Sequence, residues 1–256
     1  MRRLSQREYF ERIRTFRPTV YLAWRLLRLV RRLARPPRFL VWHTPRRTLE
    51  ERLWREAVRR GGVLIDVGCG ARRLSANFIN VDVDPSKNVD IVASAEALPF
   101  DAGVADLIWM EAVLEHLPDP ALAVSEATRV LKPGGVIYAE MPFLQGYHAA
   151  PNDYQRLTVP GLRHLFRGFE VLDSGVCSGP ASTFAYAGCS FCAALLCCGS
   201  AWLYKVWFHY VFSYIFFPVK FLDRFLVRWT PTHATAFGHY VLARKPLPSI
   251  EGGLSD

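Results

Sequence analysis

The run Val63-Leu64-Ile65-Asp66-Val67-Gly68-Cys69-Gly70 restricts the folds open to this chain more than any other stretch. Its first half is apolar and of strand length, an acid interrupts it, and a glycine turn follows. Such a strand belongs inside a sheet, and the turn lets backbone approach a nucleotide-like ligand where a Cβ would clash. Strand and helix patterns then alternate through about Gly179. Val63–Val67, Asn77–Asp82, Val89–Val92, Ala105–Trp109, Gly135–Met141 and Phe169–Cys177 read as strands. Pro120–Leu131 has helical periodicity and meets a stop signal at Lys132-Pro133-Gly134-Gly135. Alternation of this kind argues a parallel sheet in an α/β fold. One more strand pattern, Gly238 to Lys245, returns near the end of the chain.

Charge divides the 256 residues unevenly. The net formal charge is +9, but residues 1–60 hold 18 Arg against 5 Glu, so the remainder is mildly acidic. A basic arm on an acidic body suggests an anionic partner, lipid headgroups or nucleic acid. Thr19 to Arg35 reads as a helix with Leu22, Leu26, Leu29, Val30 and Leu33 on one arc and Arg25, Arg28, Arg31, Arg32 and Arg35 opposite. That face suits a membrane surface, with packing of the apolar arc onto the domain as the bland alternative. A second helix, Pro45 to Arg60, leads into the core.

Between Ser174 and Val219 the only formal charge is Lys205, and Phe184–Tyr204 gives 21 uncharged residues, enough to cross a bilayer. The strand at Gly238 to Lys245 argues against a single crossing. If it joins the same sheet, both ends of the apolar segment lie on one side. A helical hairpin, an in-plane insert or a lid over a lipid-like substrate remain, with in-plane or re-entrant insertion favoured. The domain plan is therefore an arm at 1–60, a catalytic domain at 61–182 with 235–246, and an insert at 183–234. A position at the inner, cytoplasmic face of the membrane, peripheral or monotopic, follows from that plan. Four of the six Cys, Cys189, Cys192, Cys197 and Cys198, sit in the apolar run without a second polar half. They read as small hydrophobes, and no metal site is expected.

A glycine turn after a first strand also suits nicotinamide dehydrogenases, so the later motifs decide. Asp66-Val-Gly-Cys-Gly70, Val81-Asp82-Val-Asp84-Pro85 and Ala95-Glu96-Ala97-Leu98-Pro99-Phe100 come first. Asp106-Leu-Ile, Leu114-Glu115-His116 and Arg129-Val-Leu-Lys-Pro-Gly-Gly135 follow in order. This series closely resembles the class I S-adenosylmethionine-dependent methyltransferases, in the group with the type 11 methyltransferase domain. The resemblance implies a Rossmann-like seven-stranded sheet whose last strand inserts antiparallel. Here that sheet would carry the basic helical arm before it and the hydrophobic insert before its last strand. It implies S-adenosylmethionine as cofactor, with Asp66, Gly68, Cys69 and Gly70 at its methionine end. Asp82 would then hold the ribose, Ser94 and Ala95 the adenine, and Met110 and Glu111 the pocket floor. Arg72 and Ser94 depart from the group, which usually has Gly and Asp there.

The loop Pro142 to Thr158 packs His148, Asp153, Tyr154 and Arg156 into nine positions at the carboxyl end of a strand. Open α/β folds place substrates there. Methyl transfer to a hydroxyl needs alignment and a base, and His148 is the candidate, oriented by Asp153. Tyr154 or Arg156 would bind an anionic substrate group. In the structural alternative, Asp153 and Arg156 pair to pin the loop, and His116 is a structural residue. The function expected is methylation of a small-molecule, apolar or lipid-linked acceptor at a membrane surface. Its rivals are a SAM-binding membrane adaptor without turnover and, more distantly, an RNA methyltransferase.

Overall fold

The computed structural model describes residues 54–149, 151–228 and 230–248. Among them a seven-stranded sheet runs in the order β3-β2-β1-β4-β5-β7-β6. Its strands are β1 Leu64–Val67, β2 Phe78–Asp82, β3 Ile91–Val92, β4 Ala105–Glu111, β5 Leu131–Pro142, β6 Glu170–Ser178 and β7 Gly238–Arg244. The first five pair in parallel. β7 enters antiparallel between β5 and β6. This is the sheet the resemblance implies.

β1 is buried along its whole length because both faces of a parallel sheet are covered. Ile65, Val67, Ile108, Met110 and Val241 point to one face, where Ala123, Val124 and Ala127 of α1 (Pro120–Val130) pack on them with Leu162 of α2 (Val159–Leu165). The alternate residues Leu64, Leu107, Trp109, Tyr138 and Leu242 meet Trp54, Ala57 and Val58 on the other face. Those three belong to helical residues 54–59, in keeping with the end of the helix expected at Pro45 to Arg60. The rest of that helix, and the amphipathic helix of the basic arm, lie outside the described residues. Asp119 starts α1 by accepting the Ala121 N–H at 3.0 Å, with Pro120 in the first turn.

Two connections are held by side-chain and long-range backbone bonds. Lys132 to Gly135 do not stand outside the sheet as a turn; α1 ends at Val130 and β5 begins at Leu131. Lys132 Nζ reaches Asp106 at 2.7 Å, and Gly134, at φ +78°, donates its N–H to Lys245 O. These bonds hold the segment in the ladder across an irregular register. The β1–β2 crossover has no helix among the described residues. Arg73 stitches it instead, through Phe78 O, Asn88 O and Asp90. The Asn80 amide adds bonds to Arg72 O and Asn88 O.

The chain falls into two compact units, one holding the sheet and one holding residues 189–215. Between Ser178 and Gly238 it is helical: α3 (Pro180–Leu196), α4 (Ala201–Trp207), then short π and 3₁₀ turns. The uncharged run from Phe184 to Tyr204 is therefore two helices rather than one. It breaks where Cys198 (φ +48°) and Gly199 (φ +76°) turn left-handed and Ser200 caps α4. No helix among the described residues is long and apolar enough to cross a membrane.

Candidate active site

The sheet order reverses between β1 and β4, and the carboxyl ends of the strands around that point are where open α/β sheets hold ligands. Gly68 and Gly70 follow β1 there, both left-handed at φ +71° and +56°. Gly68 has a second reason to be glycine: a Cβ would lie 2.3 Å from Val113 Cγ2. A Cβ on Gly70 would meet nothing, so the space beside it is open. Asp82, at the end of β2, accepts the Gly70 N–H at 2.7 Å and the Asp84 N–H at 2.9 Å, one on each oxygen. Each oxygen keeps a lone pair for a hydroxyl donor.

Asp66 is fully buried, and neither of its oxygens has a hydrogen-bond partner among the described residues. Burial pushes its carboxyl up to about 7; Glu111 and Asp82 add to the rise, while Arg72 and Arg73 oppose it. An orphaned carboxylate, the open space at Gly70 and a half-used Asp82 match an ammonium group and a ribose diol. The residues present therefore fit S-adenosylmethionine. Cys69 is buried, and its thiol is raised to about 11, chiefly by burial, so it is not a nucleophile. Ser94 Oγ accepts the Glu96 N–H, and Ala95 is buried beside it. Met110 and Glu111 separate: Met110 is wholly inside the core, and only Glu111 presents a polar group at the strand end. Glu111 pairs with Arg72 at 2.6 Å, which lays a guanidinium across the point where the strand order reverses.

A second polar cluster forms past β4 and β5. Glu115, in a 3₁₀ turn at Leu114–His116, is fully buried, and its carboxylate has no hydrogen-bond partner among the described residues. His148 Nε2 lies 3.5 Å and His116 Nε2 3.7 Å from Glu115 Oε1. The two rings meet edge to face at 5.2 Å. Glu115 is the main reason the His148 imidazole is held above its usual range, with burial opposing. Asp153 accepts the His148 backbone N–H at 2.9 Å and is clasped by both Nη atoms of Arg156. That clasp holds its carboxyl down to about 2. Arg156 also reaches Gln145 O, which closes the loop on itself.

The structure thus joins His148, Asp153 and Arg156 as the sequence suggests, but distributes the parts differently. The Asp153–Arg156 pair pins the loop, as in the structural alternative. Two carboxylates flank the His148 ring at 3.5 Å: Asp153 at Nδ1, in the orienting position expected from the sequence, and Glu115 at Nε2. Tyr154 stands half exposed, contributing its backbone N–H to Glu115 O. Glu115 and His116 were missed as site residues. Their sequence signal was their place just beyond β4, because the parallel β4–β5 pair sets Glu111 opposite Glu140 and brings the two following loops together.

Comparison with known proteins finds matches to part of the chain. The methyltransferase domain family has a model that matches residues 65–139. The chain is similar to the chloroplastic tocopherol O-methyltransferase of Arabidopsis thaliana, 33% identical over 98 residues, covering 29% of this chain and 28% of that one. It is also similar to the 2-methyl-6-phytyl-1,4-hydroquinone methyltransferase of Synechocystis sp., 30% identical over 98 residues, covering 30% of this chain and 31% of that one. The matches thus span under a third of these relatives' lengths. Among solved structures, the [4+2]-cyclase SpnF is similar with a TM-score of 0.47 at 21% identity, covering 78% of this chain and 80% of that one. Residues 65–139, which match the methyltransferase domain family, make up β1 to β4, α1 and most of β5 in a seven-stranded sheet whose β7 enters antiparallel.

Proposed function

We propose that the chain is an S-adenosylmethionine-dependent methyltransferase acting at a membrane surface on an apolar or lipid-linked acceptor. The observation that carries this reading is the pairing of two groups of residues on the carboxyl edge of one sheet. The orphaned Asp66 with Gly70 and Asp82 lies past β1 and β2, and the Glu115–His148 cluster lies past β4 and β5. When bound, S-adenosylmethionine supplies an electrophilic methyl carbon on sulfur. The chain's residues do the rest. Asp66 and Asp82 take the ammonium and the ribose hydroxyls, with Gly68, Cys69 and Gly70 giving the close backbone approach. Ser94 and Ala95 flank the adenine. Asp153 and Arg156 hold the loop, so that His148, with Glu115 at its Nε2, stands where an acceptor hydroxyl gives up its proton.

An apolar acceptor is supported by the large side chains that α3 and α4 leave exposed, Phe184, Phe191 and Trp202 among them. The names of the two relatives, which refer to a tocopherol and a phytyl hydroquinone, point the same way. One observation favours a second reading, a SAM-binding adaptor without turnover: Arg72 crosses to Glu111 where the family's glycine would leave room.

The test is calorimetric binding of S-adenosylhomocysteine to the full chain, with Asp82→Ala as control. Micromolar binding that the variant loses supports the cofactor site; no binding to folded protein sinks it. Methyl transfer into a lipid extract then separates enzyme from adaptor.

A further inference from the structure

We infer that Glu115, His116 and His148 form a binding site for one first-row divalent cation of the zinc class. Three features of the cluster carry this, and all are independent of the cofactor residues.

The first is geometry. One ligand atom from each residue lies within 4.8 Å of the other two. Two of the three separations, 3.5 Å and 3.7 Å to Glu115 Oε1, are already close to the edge of a tetrahedral zinc polyhedron, about 3.3 Å for bonds near 2.0 Å. The third, between the two imidazoles, is within 4.8 Å and would have to shorten on binding.

The second is the carboxylate. Glu115 is fully buried, and both its oxygens are without a hydrogen-bond partner among the described residues. Buried carboxylates are retained where something satisfies them, and a cation shared with two imidazoles does so more completely than two rings at 3.5 Å or beyond.

The third is how the rings are held. His116 Nδ1 faces Asn152 O, and His148 Nδ1 faces Gly146 O at 3.2 Å. A carbonyl only accepts, so a proton on each Nδ1 suits these contacts, and Nε2, the atom that faces Glu115, is the one a cation would take on displacing its proton. Outer hydrogen bonds of this kind orient metal-binding histidines. Asp153 and Arg156 extend the support by fixing the His148 backbone.

Two nitrogens and one oxygen suit zinc and its neighbours rather than magnesium or calcium, which prefer all-oxygen shells. Three protein ligands leave a position for an exogenous oxygen. On the reading of this edge as the acceptor site, that oxygen is the acceptor hydroxyl, and the cation lowers its pKa so that its proton passes to water. With the cation bound, His148 Nε2 would be a ligand and water would take the proton; the base role proposed above belongs to the cation-free site. The inference about the acceptor rests on the methyltransferase reading; cation binding itself does not.

The experiment is a zinc titration by calorimetry on untagged, chelator-treated full chain, beside the same titration of His116→Gln and His148→Gln. S-adenosylhomocysteine is titrated into all three proteins as a check on the fold. One equivalent of zinc bound by the parent and weakened at least a hundredfold in both variants supports the site. Cobalt substitution should give a visible band of low-symmetry coordination that both variants lack. No stoichiometric zinc binding by the parent overturns the inference, and so does binding unchanged in both variants, which keep all six cysteines. Zinc binding without homocysteine-product binding would leave the cation site standing and remove the methyltransferase reading. The reverse pattern would do the opposite. If one variant fails to fold, the other decides.

Discussion

Asp66 shows what a single residue costs and why it is kept. Its carboxyl sits at about 7 in the fold, against 3.8 for a free side chain, with burial as the leading cause. Raised acids stabilise a fold only while protonated: the native state binds the extra proton between roughly pH 4 and 7, so stability falls as pH rises through that window. Above pH 7 the charged, unpartnered carboxylate costs up to about 4 kcal/mol. Asp66→Asn should therefore raise the urea midpoint at pH 8 and gain much less at pH 5. It should also weaken S-adenosylhomocysteine binding at pH 8, because the negative charge facing the ammonium is gone. Equal midpoint shifts at both pH values would refute the burial account. The charged neighbours that modulate this window are Arg72, Arg73, Glu111 and Asp82. At this scale the sequence was a good guide to identity and a poor one to environment. The Asp66-to-Gly70 turn announced itself, whereas the lack of a hydrogen-bond partner for Asp66 among the described residues depends on packing from β2, β4 and the crossover. Likewise Glu115 and His116 stood inside a family motif, yet their meeting with His148 is a product of sheet pairing across more than thirty residues of chain.

At the scale of elements, the start of α3 depends on a residue far along the chain. Asp223 is buried and accepts the N–H groups of Gly179, Ala181 and Ser182 together with Ser182 Oγ, at 2.6–3.1 Å. These are the otherwise unpaired donors of a helix N-terminus, and a carboxylate there also suits the helix dipole. Gly179 must stay small, since a Cβ would lie 2.3 Å from Asp223 Oδ1. Asp223→Ala should cost about 2–4 kcal/mol, because it removes the cap and strands several buried donors. Urea unfolding reads this directly, and a loss under about 0.5 kcal/mol would mean that water replaces the cap. Local periodicity could not reveal the contact, because Asp223 lies 41 residues beyond Ser182. The strands were more legible because continuous apolar runs between turns require only local information. The stop signal did end α1 at Val130, but β5 starts at Leu131 rather than Gly135 because long-range bonds to Asp106 and Lys245 hold Lys132 to Gly135 in the ladder.

For the whole molecule, the sheet sets the terms on which the apolar helices can meet a bilayer. Ser178 at the end of β6 is paired with Gly238 at the start of β7, and Phe237 N–H donates to Ser178 O. Everything between therefore leaves and re-enters at one end of one sheet, and an odd number of crossings is excluded. α3 and α4 are also separated by the left-handed Cys198-Gly199 turn, which makes each too short to span alone. Shallow insertion of exposed side chains is the mode that fits. Phe191 is 65% and Trp202 70% exposed, and burying a side chain of that size in hydrocarbon is worth about 1.5–3 kcal/mol. The double variant Phe191→Ser with Trp202→Ser should therefore lower partitioning onto neutral phosphatidylcholine vesicles at least tenfold. Both side chains are largely exposed, so thermal stability should hardly change. The basic arm makes a separable contribution: binding to anionic vesicles should exceed that to neutral ones at low salt, and the excess should fade as ionic strength rises. Co-sedimentation across lipid composition and salt distinguishes the two. If the double variant binds neutral vesicles as tightly as the parent, α3 and α4 are not the inserting surface, and their exposed aromatic side chains must serve the acceptor or another protein instead.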